Sequence, residues 1–386
     1  MTHLLFLGFA IIACGLLLAM TLAALAHAGR VPWLREQAAH AGRPPRVSVI
    51  VPALNEARGI EAALQSLLAQ DYPELEILVV DDRSTDATPL ILARLAAAQP
   101  RLKVATVREL PDGWLGKNHA NWLGAREASG ELLLFTDADV VMAPDAIARA
   151  VGYLSRGHWD HLAIAPRVTL PGGVLSQFTL YFGLLFSLYA RPWAARDPSS
   201  RAHVGIGAFN LVRRDIYLGA GGHERLRLRP DDDMKLGKLL KLHGARQDFL
   251  NGNGVLEVEW YGSWREVRDG LMKNLFAGVE YRVTTTVAGS LAQLAVFAGP
   301  PLALLAGSGG PYAALLNALS CTLLLALGAC CAPRFGTRPW GGLLLPMFAA
   351  FGAWLMWRSM LLALLRGGID WRGTRYPLAM LRRNIV

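Results

Sequence analysis

Residues 4–26, LLFLGFAIIACGLLLAMTLAALA, contain no charged side chain. A helix of that length spans a bilayer hydrocarbon core of about 30 Å. A cleaved leader is the competing reading, but its apolar core runs only about 7–15 residues and follows a basic start. Here the basic residues Arg30, Arg35, Arg43 and Arg46 come after the run. Residues 1–28 are therefore expected to remain as a transmembrane anchor, with the basic flank on the cytoplasmic side.

Apolar segments return at 285–307, 312–332 and 341–365, so residues 281–366 are expected to form transmembrane or re-entrant helices. The third segment contains Pro346 and Gly352, which could break it, and Arg358 inside it. A charge at mid-bilayer costs about 2.5–3.5 kcal/mol even on insertion scales. The basic tail, 367–386, has Arg372, Arg375, Arg382 and Arg383 against Asp370, and Arg366 lies just before it. The positive-inside rule places that tail in the cytoplasm. Three complete crossings would put it outside, so 341–365 is expected to be re-entrant or interfacial. The four cysteines, Cys14, Cys321, Cys330 and Cys331, all lie in apolar segments, which excludes a disulfide framework or Cys-based zinc site in the polar part. The net charge of +9 could suggest nucleic acid, but many arginines flank membrane segments and have a topological reason to be there. No nucleic-acid partner is expected.

Between the apolar parts, residues 46–280 read as a soluble domain. VSVIVPALNE (47–56) is a β-branched run stopped by Pro52 and polar residues, followed by a helical period with Ile60, Leu64, Leu67 and Leu68 on one face. LEILVVDDRSTD (75–86) repeats the pattern of strand, carboxylates and capping cluster, and TPLILARLAAA continues as a helix. A third strand is expected at 102–107, a third helix at 117–128 and a fourth strand at 131–136. Near-continuous apolar strands alternating with helices imply an α/β fold with a Rossmann-like, mostly parallel sheet covered on both faces. Residues 46–140 would form one half of this domain and 141–280 the other.

Polar motifs follow the strands: Asn55 and Glu56 after the first, Asp81 and Asp82 at the end of the second, Asp137 and Asp139 after the fourth. In an open α/β sheet the carboxyl ends of the strands form the ligand crevice, so these clusters should converge. One such cluster alone could be a helix cap; three at strand ends exceed that explanation. No Walker loop and no Gly-x-Gly-x-x-Gly follows the first strand. A diphosphate beside carboxylates is then held through a bridging divalent cation, Mg²⁺ or Mn²⁺, both of which favour oxygen ligands.

PALNE, VVDDRSTD, GKNHA, TDAD and PDDDMKLG occur in this order over residues 46–280, and in this order the chain resembles the family 2 glycosyltransferases of GT-A fold. The resemblance implies that Pro52, Asn55 and Glu56 line the nucleotide pocket, that Asp82 contacts the base, and that Gly116 and Lys117 lie near the nucleotide. It implies that Asp137 and Asp139 form the Asp-x-Asp element, with Asp139 the direct metal ligand. RPDDDMKLGKLLKLHG (229–244) reads on its own as a charged N-terminus of an amphipathic helix. The family's Glu-Asp pair, with Leu three residues on, falls here on Asp232, Asp233 and Leu236, making Asp233 the general base. Asp in place of Glu at 232 departs from the pattern.

His119 and His223 are candidates for substrate contact, with a structural role the simpler reading. FGLLFSLYARPW (182–193) is too short to span a membrane and reads as an interfacial or buried helix. The Gln-x-x-Arg-Trp element of processive synthases is absent; WYGSWREVRDGLMKN occupies its region, where Trp260, Trp264, Lys273 and Asn274 could bind acceptor or pack beneath the membrane. The resemblance extends to membrane-anchored, lipid-glycosylating members: hopene-associated, carotenoid and ceramide glycosyltransferases. It implies an inverting, metal-dependent single transfer from a nucleotide sugar, UDP-linked, to a lipid acceptor by a multi-pass protein of the inner (plasma) membrane with a cytoplasmic catalytic domain. A processive polysaccharide synthase and a non-catalytic membrane scaffold are the rival readings.

Overall fold

The computed structural model describes residues 2–386, the side chain of Ala28 excepted. The chain forms two compact units. One comprises Val31–Thr169, Ala190–Trp260 and Arg383–Val386, the other Met1–Arg30, Leu170–Tyr189 and Tyr261–Arg382.

The first unit is built on a seven-stranded sheet. Its strands are β1 (Val47–Ala53), β2 (Leu75–Asp82), β3 (Leu102–Val107), β4 (Leu132–Phe135), β6 (His161–Ala165), β8 (Asn210–Arg213) and β9 (Gln247–Asn251). They are ordered β3-β2-β1-β4-β8-β6-β9. Three short strands, β5 (Val140–Met142), β7 (Arg167–Thr169) and β10 (Leu256–Glu259), form a second sheet in the order β5-β10-β7. The first half follows the alternation read from the sequence, with helices at Ile60–Leu68, Thr88–Ala98 and Gly116–Glu127. β1 pairs in parallel with β2 and β4, and β2 with β3. Every residue of β2 is buried, as expected for a strand covered on both faces. Ile60, Leu64 and Leu67 pack into the core with Val47, Val49, Val51, Ile77 and Val79, while Leu68 is partly buried against it. The second half departs from a simple repeat. β8 enters antiparallel between β4 and β6. A short, fully covered strand such as NLVR carries no sequence mark of its direction.

Among the described residues of the second unit, four helices are long and apolar enough to cross a membrane: Thr2–His27, Val283–Leu305, Gly310–Phe335 and Pro339–Leu365. The first of these contains the charge-free run, and the other three overlap the apolar segments read from sequence. Pro346 and Gly352, expected to break 341–365, do not, since Leu345–Leu365 is one unbroken helix. Pro346 falls in its first turn, where no intrahelical N–H bond is lost. Gly352 gives room to Tyr181, whose hydroxyl would lie 1.9 Å from an added Cβ. The interruption lies elsewhere: a π turn at Leu294–Ala298 precedes Gly299, Pro300 and Pro301. Residues 170–189 and 261–280, expected within the soluble domain, cluster with the apolar helices. The 182–193 stretch belongs largely to a helix, Phe178–Ala190, that is buried through Phe178, Leu180, Tyr181 and Leu184 and exposed at Leu188 and Tyr189. Trp264 joins an aromatic cluster with Phe178, Phe348 and Phe351, and Lys273 lies over Trp371. The tail contains a hairpin, Gly368–Trp371 with Thr374–Pro377, that turns at Arg372 and Gly373, both at positive φ.

At the amino end of β1 and β2 a buried carboxylate ties three strands together. Glu76 accepts the Ser48 hydroxyl at 2.5 Å and both the Ser129 N–H and hydroxyl at 2.7 Å, with Lys103 at 3.4 Å. Burial alone would raise its pKa, but these donors hold the carboxyl down at about 2. A depressed carboxyl stabilises the fold above its ordinary titration range, and that stabilisation is lost as pH falls from there toward the folded value. Glu76→Gln is expected to cost roughly 1–3 kcal/mol at neutral pH, the price of disturbing a buried charged hydrogen-bond cluster. Its thermal stability should fall less steeply than that of the wild type between about pH 5 and 3. Unfolding curves of the detergent-solubilised protein across that range would check both.

Candidate active site

Because β1, β2 and β4 run parallel, their carboxyl ends share one edge of the sheet. After β1, Asn55 adopts φ 57°, a left-handed conformation that Asn tolerates. Its side-chain oxygen accepts the main-chain N–H groups of Thr85 (2.8 Å) and Asp86 (3.3 Å). Its own N–H donates to the Ser84 hydroxyl, and the Glu56 N–H to Thr88 Oγ1. Asn55 thus stitches the loop after β1 to the loop after β2. At the end of β2, Asp82 is buried and receives both arms of the Arg83 guanidinium, at 2.8 and 3.0 Å. Gly116 opens the Gly116–Glu127 helix directly against it: an added Cβ would lie 2.0 Å from Asp82 Oδ2. That helix start, with its unpaired N–H groups, is a favourable place for a carboxylate.

At the very next residue the chemistry concentrates. Lys117 Nζ lies 2.7 Å from Asp137 Oδ1 and 3.9 Å from Asp232 Oδ1. Burial would lower the lysine's pKa, but Asp137, Asp232 and Asp233 together hold it raised, so the ammonium persists. Asp137 and Asp139 leave β4 on the same edge. Burial raises the Asp139 carboxyl, and the nearby charges of Asp137 and Glu56 raise it further.

The three consecutive aspartates at 231–233 take three different partners. Asp231 accepts both arms of the buried Arg229, at 2.9 and 2.8 Å, and lies 3.7 Å from Lys235. Asp232, almost wholly buried, faces Lys117 on one side and His223 Nε2 at 3.9 Å on the other. Asp233 accepts the N–H of Gly207 at 2.9 Å and of Met234 at 2.7 Å. Burial raises the pKa of both Asp232 and Asp233, against the opposing pull of Lys117. The His223 imidazole is pushed down to about 3, by burial and then by Lys117, so it is neutral. Its Nδ1 lies 2.9 Å from the Tyr217 hydroxyl, which also accepts the His223 N–H.

These groups line a recess of about 240 Å³, counted to its open mouth, whose wall includes Pro52, Lys117, Asp137, Asp232 and Asp233. Asn55, Glu56, Asp82, Gly116 and Asp139 stand outside that lining. Asn121, Gly207, Asn210 and His223 belong to the wall as well; only His223 had stood out in the sequence. GIGAFN at 205–210 could have drawn notice, since two glycines before a strand mark a close backbone approach. His119 packs in a ring cluster with Trp114 and Trp122, and Trp260 follows β10, its N–H donating to the Thr169 carbonyl. Among the described residues no three His, Cys, Asp or Glu side chains are grouped to hold a metal by themselves. The recess and its rim are nonetheless rich in carboxylate, and an oxygen-only set completed by ligand phosphates is the usual magnesium arrangement.

The sheet order and the acidic edge define a GT-A-type α/β domain. A mannosyltransferase from Pyrobaculum calidifontis, solved with GDP-Man and Mn²⁺, shares the fold with a TM-score of 0.54 at 23% identity, over 94% of this chain and 98% of that one. The family described as Glycosyl transferase family 2 matches residues 48–218. The 4,4'-diaponeurosporenoate glycosyltransferase of Staphylococcus aureus strain USA300 is 24% identical over 235 residues, 60% of this chain and 61% of the relative. Its counterpart in the bovine strain RF122 / ET3-1 is 27% identical over the same shares. The match spans about three fifths of the length of these curated relatives.

The two glycines of the 205–207 loop differ in what they tolerate. A Cβ on Gly205 would lie 1.8 Å from the Asp233 carbonyl oxygen, which only a backbone shift can relieve. On Gly207 it would meet the Asp137 and Lys117 side-chain ends, at 2.6 and 3.4 Å. Gly205→Ala is expected to destabilise the protein by about 1–3 kcal/mol, as overpacking does, and Gly207→Ala by less. Thermal unfolding of the two variants side by side would check the order.

Proposed function

We propose that this protein transfers a single sugar from a nucleotide sugar, UDP-linked, to a membrane lipid, with inversion at the anomeric carbon. The observation that carries the reading is the recess in which Lys117 meets Asp137 and Asp232, with Asp233 fixed beside them. A lipid acceptor is supported by the four apolar helices and by relatives named for a diaponeurosporenoate, a carotenoid-type acceptor. Pro52, Asn55, Glu56, Asp82, Gly116 and Lys117 would form the donor side. Asp82 would read the base from the buried position in which Arg83 holds it.

Asp139 and Asp137 would hold Mg²⁺ or Mn²⁺. The fit rests on the crowding of Asp139 with Asp137 and Glu56, a set of carboxylates that a cation would relieve. When bound, such an ion supplies electrophilic stabilisation of the diphosphate oxygens. The protein's own groups do the rest. Lys117 keeps its charge and offsets the negative charge that grows on the diphosphate as the glycosidic bond breaks. Asp233, oriented by the Gly207 and Met234 N–H groups, takes the proton of the acceptor hydroxyl as its oxygen bonds to the anomeric carbon. Its raised pKa makes it a stronger base than a free aspartate. Incubating the purified protein with nucleotide sugars and membrane lipids, then weighing the lipids, tests the reading: a single hexose-sized increment is expected, and a ladder would indicate polymerisation.

Asp139→Ala should abolish Mn²⁺-dependent binding of UDP in calorimetry while the thermal unfolding profile stays near wild type. Unchanged affinity would remove Asp139 from the cation site.

Asp233→Asn should keep donor binding and lower transfer by roughly 100-fold or more, the usual contribution of a general base. If Asp232→Asn abolishes transfer and Asp233→Asn spares it, the base is the neighbouring residue.

We further place the protein in the inner (plasma) membrane as a multi-pass chain with the catalytic unit in the cytoplasm. The chain leaves that unit at Trp260 and rejoins it at Arg383, which supports an even number of crossings in the stretch between. Pro339–Leu365 is the segment that stays on one side. It is flanked by Arg334 and Arg338 before and by Arg366 after, and it contains Arg358, whereas residues 306–309 between the other two spans are uncharged. The Ser359 hydroxyl donates to the carbonyl of Met272, on the amphipathic Trp264–Gly278 helix. In a background cleared of native cysteine, Ser308→Cys should react with an impermeant thiol reagent on intact cells. Ile385→Cys should react only after lysis, and labelling of it from outside would overturn this topology.

A further inference from the structure

The turn at 225–230 leads straight into the acidic helix start, and it is gripped from two sides. From one side comes Asn118, fully buried and adjacent to Lys117: its Nδ2 donates to the carbonyls of Leu226 and Arg229 (2.9 Å for the latter). Leu115 N–H donates to the Arg227 carbonyl at 2.8 Å. From the other side comes a segment more than 150 residues away in sequence. Asn384 Oδ1 accepts the Leu228 N–H at 3.1 Å, and Asn384 Nδ2 donates to the Arg225 carbonyl at 3.0 Å. One amide therefore serves the turn as a neighbouring strand would, supplying a donor and an acceptor together. The Asn384 carbonyl lies 3.4 Å from Arg229 Nη1, the guanidinium whose other nitrogens hold Asp231. The Val386 main-chain oxygen accepts from Lys238 on the Asp232–Leu242 helix, and its side chain packs on the cluster that includes Leu236, Leu239 and Leu240.

We propose that Asn384, and the Arg383–Val386 segment around it, is a positioning element for the reaction: it seats the 225–230 turn so that Asp232 and Asp233 meet Lys117 and the Gly207 N–H. Arg229 is the largest fully buried side chain in the protein, and its charge is neutralised within this assembly. Losing one hydrogen-bonding partner from such a network leaves buried polar groups unsatisfied and lets the turn move. The acidic residues follow it directly, so a shift of the turn is passed to them. The segment comes after all the apolar helices in sequence yet belongs to the catalytic unit. The site is therefore complete only once the membrane portion has been made and the chain has returned. This inference rests on the proposed sugar transfer for its kinetic consequence, and on hydrogen bonding alone for its structural one.

The test uses the full chain in detergent, with hydrogen exchange read by mass spectrometry beside steady-state transfer kinetics. Asn384→Ala should speed exchange across 225–240 by about 10-fold or more while β1 and β2 exchange as in the wild type. It should lower kcat by about 10- to 100-fold, as misplacement of catalytic groups does, and leave the donor KM within about threefold. Asn384→Gln, which keeps both amide functions one methylene further out, should recover part of both losses; it is the variant to read if Asn384→Ala does not fold. Unchanged exchange at 225–240 would overturn the proposal whatever the kinetics, and so would faster exchange with wild-type kcat. A wild-type chain that transfers no sugar would defeat the proposed function instead, and the exchange measurement would then decide alone whether Asn384 seats the turn.

Discussion

A single ammonium, on Lys117, makes the centre of this domain possible. Asp137, Asp232 and Asp233 bring three carboxylates to one recess, and two of them lie within 4 Å of its nitrogen. Burying like charges together is costly, and the penalty falls only if an opposite charge is held among them. Truncating that lysine would leave the carboxylates to protonate or separate. The ion pair is thus less a source of stability than a condition for having acid groups there at all. It also sets the limit of neutralisation, since one ammonium stands against three carboxyl groups in the recess.

Holding four charged groups in register requires the backbone to come unusually close, and glycine provides the room. Gly116 lies against Asp82, Gly205 against the main chain at Asp233, and Gly207 against Asp137 and Lys117. Gly116 belongs to one motif and Gly205 and Gly207 to another, and at each a methyl group would crowd its neighbour. Asparagine supplies the complementary device. Asn55 ties two strand-end loops together, and Asn118 ties the lysine's helix to the turn before the aspartates. The precision of the recess is therefore made outside it, by residues that hold loops rather than ligands.

The first half of the sheet was legible because its strands are buried on both faces and end in carboxylates, so apolar run and polar stop coincide in the sequence. The seven-stranded order was not legible beyond β4. Strands such as β6, β8 and β9 are short, and β8 runs antiparallel, which a covered apolar strand does not announce. At the site, the residues that carry charge could be named from the sequence, since Asp137, Lys117, Asp232 and Asp233 do converge. What the sequence hid was the division of labour. Asn55, named for a pocket, also ties two loops together through its side-chain oxygen, which accepts two main-chain N–H groups of the adjacent loop. Pro346 and Gly352 looked like helix breakers, yet one sits where a helix needs no N–H and the other where a tyrosine needs space. Composition shows that a residue could break a helix; only tertiary contact decides whether it does.

The run Asp231-Asp232-Asp233 shows why a cap-like sequence can be more than a cap. A helix N-terminus favours negative charge in general, so the dipole alone cannot tell the three apart. None of the three uses its side chain as the helix N-cap in the ordinary way, since Asp231, at that position, makes no capping hydrogen bond. Successive residues in the first turn of a helix point about 100° apart, and here each direction meets a different environment. One carboxylate neutralises a buried guanidinium, one shares the lysine with Asp137, and one is aimed by two main-chain N–H groups at the open recess. The substitution of Asp for the longer Glu at 232 fits this crowding, because His223 and Lys117 already close the space around its carboxylate at 3.9 Å on either side. A longer side chain there would have to displace the imidazole or the ammonium, and the histidine is fixed in turn by Tyr217. The departure from the family's usual pair is thus matched by the packing that surrounds it.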